Sequence, residues 1–263
     1  MRRWAGPLLL LLLCVPWRLG AADDGLDEAR RLAASTRVDD LMRAAELFEA
    51  RLERHPEDFA ARVGAARALN AALTVRTHAN LPLVDRLQDT PENRTLWRTQ
   101  GTRALEHARR ASEQRPESVA AAAELAKSFM YYASSLGIIS SIVTGAGRAY
   151  LDHARRLVEL DPDHDSGLGD FLLGAFFTVA PRPLGSPRRA LEHYERAARR
   201  APGSVRNQFS LGVYWARRDE AAKAAACFER AIAMPCVAGT ETLICDWIKT
   251  EARESLAELA AAD

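Results

Sequence analysis

Three histidines recur at matching places in the sequence and have the right side chain to bind a metal ion. His107, His153 and His193 each follow an acidic residue and precede the central residue of a repeated pattern. Zinc needs every ligand within about 2.0–2.3 Å, whereas packed helices lie about 8–10 Å apart. Equivalent positions of successive repeats are therefore too distant to share an ion. We predict a row of surface histidines and no metal site.

An acidic run, Asp161, Asp163 and Asp165, is a second candidate for metal chemistry. A calcium loop of this type has glycine at its sixth position and a bidentate glutamate at its twelfth. Here those positions are Ser166 and Leu172. We therefore predict an ordinary turn between repeats.

Motifs for catalysis are missing from the sequence. It has no nucleophile elbow, glycine-rich phosphate loop, zincin helix or Cys-x-x-Cys pair. Without an acid, a base and a nucleophile in one pattern, we predict a non-enzymatic protein with no cofactor. The 36 basic and 35 acidic residues nearly balance, which argues against nucleic-acid binding because phosphates require a dense basic face.

The first 22 residues have the pattern of a secretory signal peptide. Arg2 and Arg3 precede a short apolar run, residues 8–15, and small residues precede Asp23. The run is too short to span a bilayer. Leu13 stands where a lipoprotein signal normally has a small residue before its cysteine, Cys14, which disfavours lipid anchoring. We expect an exported, periplasmic protein with one mature domain, residues 23–263.

Three cysteines remain after residue 22, so at most one pair forms within the chain. A Cys236–Cys245 disulfide would fasten the last loop to the last helix. Closing such a short loop would contribute about 2–3 kcal/mol. The alternative is that Cys227, Cys236 and Cys245 are three buried free thiols.

A repeated pattern determines the predicted fold. In five segments a small or aromatic residue is followed by others four and seven positions later, and then by a proline. These spacings place the side chains on one side of a helix, and the proline ends it. The segments are Ala44/Phe48/Arg51/Pro56, Ala104/Ala108/Ala111/Pro116, Tyr150/Ala154/Leu157/Pro162, Ala190/Tyr194/Ala197/Pro202 and Ala224/Phe228/Ala231/Pro235.

This pattern resembles the second helix of a tetratricopeptide repeat (TPR). The first helix is clearest in the last unit, residues 205–238, where Leu211, Gly212 and Trp215 have the expected spacing. Unequal intervals between the prolines indicate insertions in the earlier units. The resemblance implies an all-α right-handed solenoid of irregular TPR-like helix pairs, with a C-terminal capping helix at about residues 240–261.

One insertion, residues 129–147, has no charged residue. A membrane span is one interpretation, but four serines, three glycines and the flanking Lys127 and Arg148 disfavour it. The favoured interpretation is a buried helix, a turn near Gly137 and an apolar wall of a cavity.

A second insertion, residues 179–186, is rich in proline and precedes an alanine-rich helix. Here the chain resembles the T-component family of tripartite ATP-independent periplasmic (TRAP) transporters. The residues that fit are Gly174, Pro181, Leu184, Gly185 and Ala197; Ser186 departs from the family's second glycine. The resemblance implies a periplasmic accessory protein that binds a transporter's substrate-binding subunit.

The TPR resemblance also implies where a ligand or partner binds, because first helices line the concave face. That face is predicted to be apolar with isolated cations, which suits a small amphipathic acid or an apolar partner segment with a carboxylate. Phe171 and Phe209 have the alternative role of core packing. The candidate binding residues are Lys127, Met130, Tyr131, Phe171, Phe176, Phe177, Arg206, Phe209 and Arg217.

Two functional hypotheses follow. The first is a non-enzymatic accessory of a TRAP-type system that also carries a small hydrophobic or organic-acid ligand; a closed cavity walled by Met130, Tyr131, Phe176 and Phe177 would favour it. The alternative is a protein-interaction scaffold of the cell envelope with no small ligand. Either protein could be an oligomer.

Overall fold

The structure is a computed structural model that describes residues 24–237 and 239–262. The predicted signal peptide, residues 1–22 with Cys14, lies outside these ranges. Within them the chain forms twelve α-helices and no strand. The helices are α1 (Asp24–Ala33), α2 (Val38–Arg54), α3 (Phe59–Thr77), α4 (Pro91–Gln114), α5 (Val119–Leu136), α6 (Ile138–Val143), α7 (Ala146–Leu160), α8 (His164–Val179), α9 (Pro187–Arg200), α10 (Val205–Ala216), α11 (Ala221–Ala233) and α12 (Cys245–Ala262).

The repeated pattern corresponds to the second helix of each pair, as predicted. Helices α2, α4, α7, α9 and α11 each end two residues before the proline of the pattern. Helices α4 and α9 each start after a capping side chain and with a proline, because the Thr90 hydroxyl accepts a hydrogen bond from the Asn93 amide and Ser186 accepts one from Arg189.

Helices next to each other in the chain pack against each other, which gives the all-α solenoid that the repeats predict. Among the first helices, α5 contacts both α3 and α8, so the three form a continuous inner layer. The largest apolar cluster extends from α3 to α12, and a second cluster fills the space between α1, α2, α3 and α4.

The uncharged insertion forms the end of α5, a turn at Gly137 and the short helix α6. Gly137 and Gly145 flank α6 with φ of +76° and +78°, a conformation that favours glycine. No helix in the described part of the chain is both long enough and apolar enough to cross a bilayer. The buried end of α5, the turn at Gly137 and the apolar residues of α6 that border a cavity agree with the prediction, and α6 also has exposed apolar residues.

The last helix begins five residues later than predicted. Residues Thr240–Leu243 form a 3-10 turn, and α12 starts at Cys245. Cys245 is joined to Cys236 by a disulfide, while Cys227 is a buried free thiol. The disulfide joins the two ends of the loop that precedes helix α12.

Candidate functional site

The inner face is formed by α3, α5, α8 and α10, and we define it by Thr74, Lys127, Tyr131, Phe171 and Arg206. These residues border one small cavity of about 20 Å³, together with Met130. Five of the nine predicted binding residues therefore meet at one place: Lys127, Met130, Tyr131, Phe171 and Arg206.

Lys127 on this face is already paired. Its ammonium lies 2.9 Å from Glu124 Oε2, and both side chains are buried. Asn70 Nδ2 donates to the same carboxylate at 3.0 Å, and Arg67 Nε lies 3.3 Å away. Burial alone would raise the pKa of Glu124, but Lys127, Arg67 and Asn70 together lower it below its ordinary value. Lys127 therefore compensates a buried charge of the protein itself.

The two arginines predicted to bind an acid also have partners within the chain. Arg206 is buried, donates to the carbonyl of Asp165 at 2.8 Å and lies 4.8 Å over the ring of Phe171. Asp165 has φ of +46°, so Arg206 helps to hold an unusual turn at the start of α8. Arg217 donates to the carbonyls of Leu83 and Arg86 at 2.8 and 3.1 Å.

The remaining predicted aromatic residues do not enclose one cavity. Phe209 is fully buried against Phe228, with ring centroids 5.7 Å apart. Phe177 packs against His193, with the guanidinium of Arg189 4.1 Å from its ring. Phe176 borders a different and larger cavity from the one that Tyr131 borders, and only Met130 borders both.

The C-terminal connection closes the inner face. Glu241 and Ile244 form part of the wall of the small cavity, with Ala79, Leu168 and Leu172, and both are buried. The predicted residues therefore line the inner face, but Glu241 and Ile244 of the connection before α12 lie over them.

A larger groove lies about one turn further along α5, beside Met130 and Ala133, and it has about 170 Å³ of free space. We call it the α6 groove. Its walls come from the ends of α5 and α8, from α6 and the start of α7, and from the loops before α4 and α9. The wall residues that point into it are mostly apolar. They include Pro82, Leu87, Met130, Ala133, Ile138, Ile142, Leu151, Ala175, Phe176, Val179 and Leu184.

Helix α6 exposes all of its large apolar residues to water. Ile139 and Val143, one turn apart, are 78% and 81% exposed, whereas Ser141 is buried. Ile138, Ile142 and Leu184 are also exposed and lie at the groove. These five are the exposed large hydrophobic residues among the described part of the chain. Such a contiguous apolar surface is typical of an interaction site.

Polar residues are present at the rim of the groove. Asp89 pairs with Arg94 at 2.6 Å, and Arg148 pairs with Asp152 at 2.7 Å. The rim therefore has charges of both signs that are already neutralised, and the lining itself contains no histidine or cysteine.

The three histidines in register are partly exposed at the surface, and each is packed against its own partner. His107 Nε2 lies 3.0 Å from Glu49 and His193 Nδ1 lies 2.8 Å from Asp170. The ring of His153 stacks on Phe129 at 4.5 Å. Each side chain has its own partner on a neighbouring helix. Among the described residues, no three His, Cys, Asp or Glu side chains are arranged to hold a metal ion.

Ile139 and Val143 are not among the binding residues predicted from the sequence. The available signal is the uncharged insertion of residues 129–147, which predicts an apolar cavity wall without specifying these two side chains. Hydrophobicity does not indicate the exposure of α6, because an apolar helix is more often buried.

Comparison with known proteins supports the fold. No protein-family model and no curated protein sequence matches the chain. A thermophilic TPR protein of Thermus thermophilus superposes on 92% of this chain and 100% of its own, with a TM-score of 0.60 and 14% identity. The solved structure of MamA protein aligns over 86% of this chain and 94% of its own, with a TM-score of 0.49 and 13% identity. The superposition on the Thermus protein, together with the helices of the described residues, shows an all-α helical solenoid with a TPR-like fold.

Proposed function

We propose that this chain is a non-enzymatic scaffold that binds an apolar segment of a partner protein at the α6 groove. The observation that carries the proposal is the exposure of Ile139 and Val143 beside an apolar groove. Exposing large aliphatic side chains is unfavourable by about 25 cal/mol per Å² of apolar surface. A partner that covers them recovers this free energy.

The position of these two side chains indicates the size of the occupant. The groove is bordered by Ile138 and Ile142, whereas Ile139 and Val143 do not border it. A small ligand inside the groove would leave them in water. An amphipathic segment of a protein can fill the groove and also cover the outer side of α6. The paired charges at the rim are typical of the polar edge of a protein interface.

We further propose a compartment, the periplasm, and a partner, the substrate-binding subunit of a transporter. Residues 1–22 support export to the periplasm, and the TRAP T-component resemblance supports a substrate-binding subunit as the partner. Most residues of that resemblance have packing roles. An added Cβ at Gly174 would lie 2.6 Å from the Tyr194 ring, and one at Gly185 would overlap the Ala180 carbonyl. Leu184, however, is 44% exposed at the groove, where it is available to a partner.

The experiment is native mass spectrometry of the protein purified gently from its own cells, as wild type and as the double variant Ile139→Ser/Val143→Ser. The wild type should retain a partner protein that the double variant loses. Ser140→Ala, on the exposed side of the same helix, is the matched control and should retain it. A substrate-binding subunit as the partner supports the transport form. A bound small acid or lipid without a protein supports the carrier hypothesis. Equal retention by all three proteins contradicts the proposal.

A further inference from the structure

A second recess adjoins the α6 groove at the start of α4, and we call it the α4 recess. It is bordered by Asp89, Pro91, Arg94, Thr95 and Arg98. Asp89 also borders the α6 groove, so the recess and the groove share a wall. Because Arg94 and Arg98 are four residues apart in a helix, their side chains lie on the same face of α4. The apolar groove therefore continues into a surface that has two guanidinium groups.

Arg94 lies at the boundary between the recess and the groove. Its guanidinium is close to the turn that precedes α6, because a Cβ added at Gly137 would lie 3.3 Å from Arg94 Nη1. Arg94 Nη2 donates to Asp89 at 2.6 Å, and this ion pair neutralises both charges. Arg94 Nε is buried and has no hydrogen-bond partner among the described residues. Buried donors are nearly always paired, so the chain does not fully satisfy this guanidinium.

Arg98 has the charge in the α4 recess that the chain leaves without compensation. Its side chain is exposed, and its hydrogen bond to the carbonyl of Ser135 is long, at 3.5 Å. No carboxylate in the described part of the chain lies within ion-pair distance of Arg98. Two guanidinium groups and one carboxylate, that of Asp89, give the α4 recess a net charge of +1.

Another exposed cation lies in the loop before α9. Arg182 stands between Pro181 and Leu184, which both border the α6 groove. Arg182 is exposed and makes no ion pair with any residue that the structure describes. The carboxylates of Asp89 and Asp152, in contrast, are both paired with arginines. The surroundings of the apolar groove thus include cations without partners, whereas these two acids have theirs.

We propose that the partner segment bound at the α6 groove is acidic as well as apolar. Aliphatic side chains of the segment fill the groove, and Asp or Glu side chains beside them pair with Arg98 in the α4 recess and with Arg182. This inference names the chemistry of the partner and rests on the proposed function. Charge complementarity favours such a segment over a basic one and accelerates association at low ionic strength. A segment without acids would desolvate the two guanidinium groups and leave them unpaired, which is unfavourable.

The first experiment identifies the segment. Benzoylphenylalanine replaces Ile139, the protein is irradiated in the cells that make it, and the crosslinked peptide of the partner is sequenced by mass spectrometry. We expect a net negative charge within about seven residues of the crosslinked residue, a length of two helical turns. A crosslinked segment with a net positive charge or without acids overturns the proposal.

The second experiment measures binding of a synthetic peptide with the sequence of that segment to the purified full-length protein. Arg98→Glu should bind this peptide at least about tenfold more weakly than the wild type, which is the loss of one charged hydrogen-bonded contact. Arg182→Glu, in a loop, should have the same direction of effect and replaces Arg98→Glu if that variant does not fold. A peptide with glutamine in place of its acids should bind the wild type and both variants equally.

Arg253→Glu is the matched control, because Arg253 is exposed on α12, borders neither the groove nor the recess and gives the same change in net charge. It should bind the acidic peptide like the wild type. Equal weakening by Arg98→Glu and Arg253→Glu would show an effect of net charge alone and overturn the proposal. Equal binding by the wild type, Arg98→Glu and Arg182→Glu would overturn it as well.

Failure of this inference is distinguishable from failure of the proposed function. Ile139→Ser/Val143→Ser should weaken binding of the acidic peptide and of the glutamine peptide alike, because it removes the apolar contact that both share. A protein adduct at position 139 whose peptide is insensitive to Arg98→Glu and Arg182→Glu overturns this inference alone. The absence of any protein adduct, or an adduct with a lipid or a small acid in its place, contradicts the proposed function and this inference together.

Discussion

The imidazole of His78 lies flat against the indole of Trp247, with ring centroids 4.1 Å apart and planes within 5° of parallel. His78 follows α3, and Trp247 lies on the first turn of α12, so the stack joins an early repeat to the capping helix. Arg86 and Glu251 make a second contact between the same regions at 3.5 Å. The solenoid is therefore closed by contacts between residues that are far apart in the sequence.

The first prediction concerns this stack. A double-mutant cycle with His78→Ala and Trp247→Ala should give a coupling free energy of about 0.5–1.5 kcal/mol, the range for aromatic pairs. Urea unfolding of the four proteins measures it. The same cycle with Trp215 in place of Trp247 should give no coupling, because Trp215 packs on Tyr214 instead. Additive effects of His78→Ala and Trp247→Ala would show that the stack contributes nothing.

The second prediction concerns pH. Burial lowers the pKa of His78 and of His153 below 6.5, although Gln88 and Asp152 act in the opposite direction. The unfolded chain then binds more protons than the folded chain near and below pH 6.5, so stability is complete above that pH and falls as pH decreases. Unfolding free energies measured from about pH 7.5 to about pH 5.5 should decrease. The double variant His78→Gln/His153→Gln should have a smaller decrease; an unchanged slope would contradict the assignment.

The third prediction concerns the close approach of paired helices. An added Cβ at Gly212 would lie 2.5 Å from the Phe228 ring, as at Gly174 beside Tyr194. Gly212→Ala should reduce the unfolding free energy by about 1–3 kcal/mol, because overpacking displaces the ring. Gly203→Ala is the matched control, since no atom lies within 4 Å of its added Cβ. Denaturant unfolding compares them, and equal stability of the two variants would contradict this packing.

The fourth prediction concerns the buried ion pair. Glu124→Ala leaves Lys127 without its carboxylate and should cost about 3–5 kcal/mol. Replacing both residues, as Glu124→Leu/Lys127→Met, should restore much of the loss, because no buried charge is then unpaired. Thermal unfolding with calorimetry measures both. If the double variant were less stable than Glu124→Ala, the pair would have a role beyond mutual compensation.

The fold was predictable because its signals are local. The repeated pattern of small and aromatic residues before Pro202 and before Pro235 predicts a helix and its end from about a dozen neighbouring residues. The spacing also placed Tyr131, Phe171 and Arg206 on one face. The partners of these residues could not be predicted, because they are distant in the sequence. Arg206 donates to the backbone carbonyl of Asp165, and Glu241 reaches the cavity from the connection before α12. The exposed side of α6 was not predictable either, since its orientation depends on packing between α5 and α7.

Binding of a partner protein at the α6 groove is tested most directly by photo-crosslinking. A benzoylphenylalanine residue replaces Ile139 in one protein and Glu106, exposed on α4, in another. Both are irradiated in the cells that make the protein. We predict one discrete protein adduct from position 139, which Val143→Ser diminishes, and none from position 106. The same adducts from both positions, or none from position 139, would contradict binding at the α6 groove.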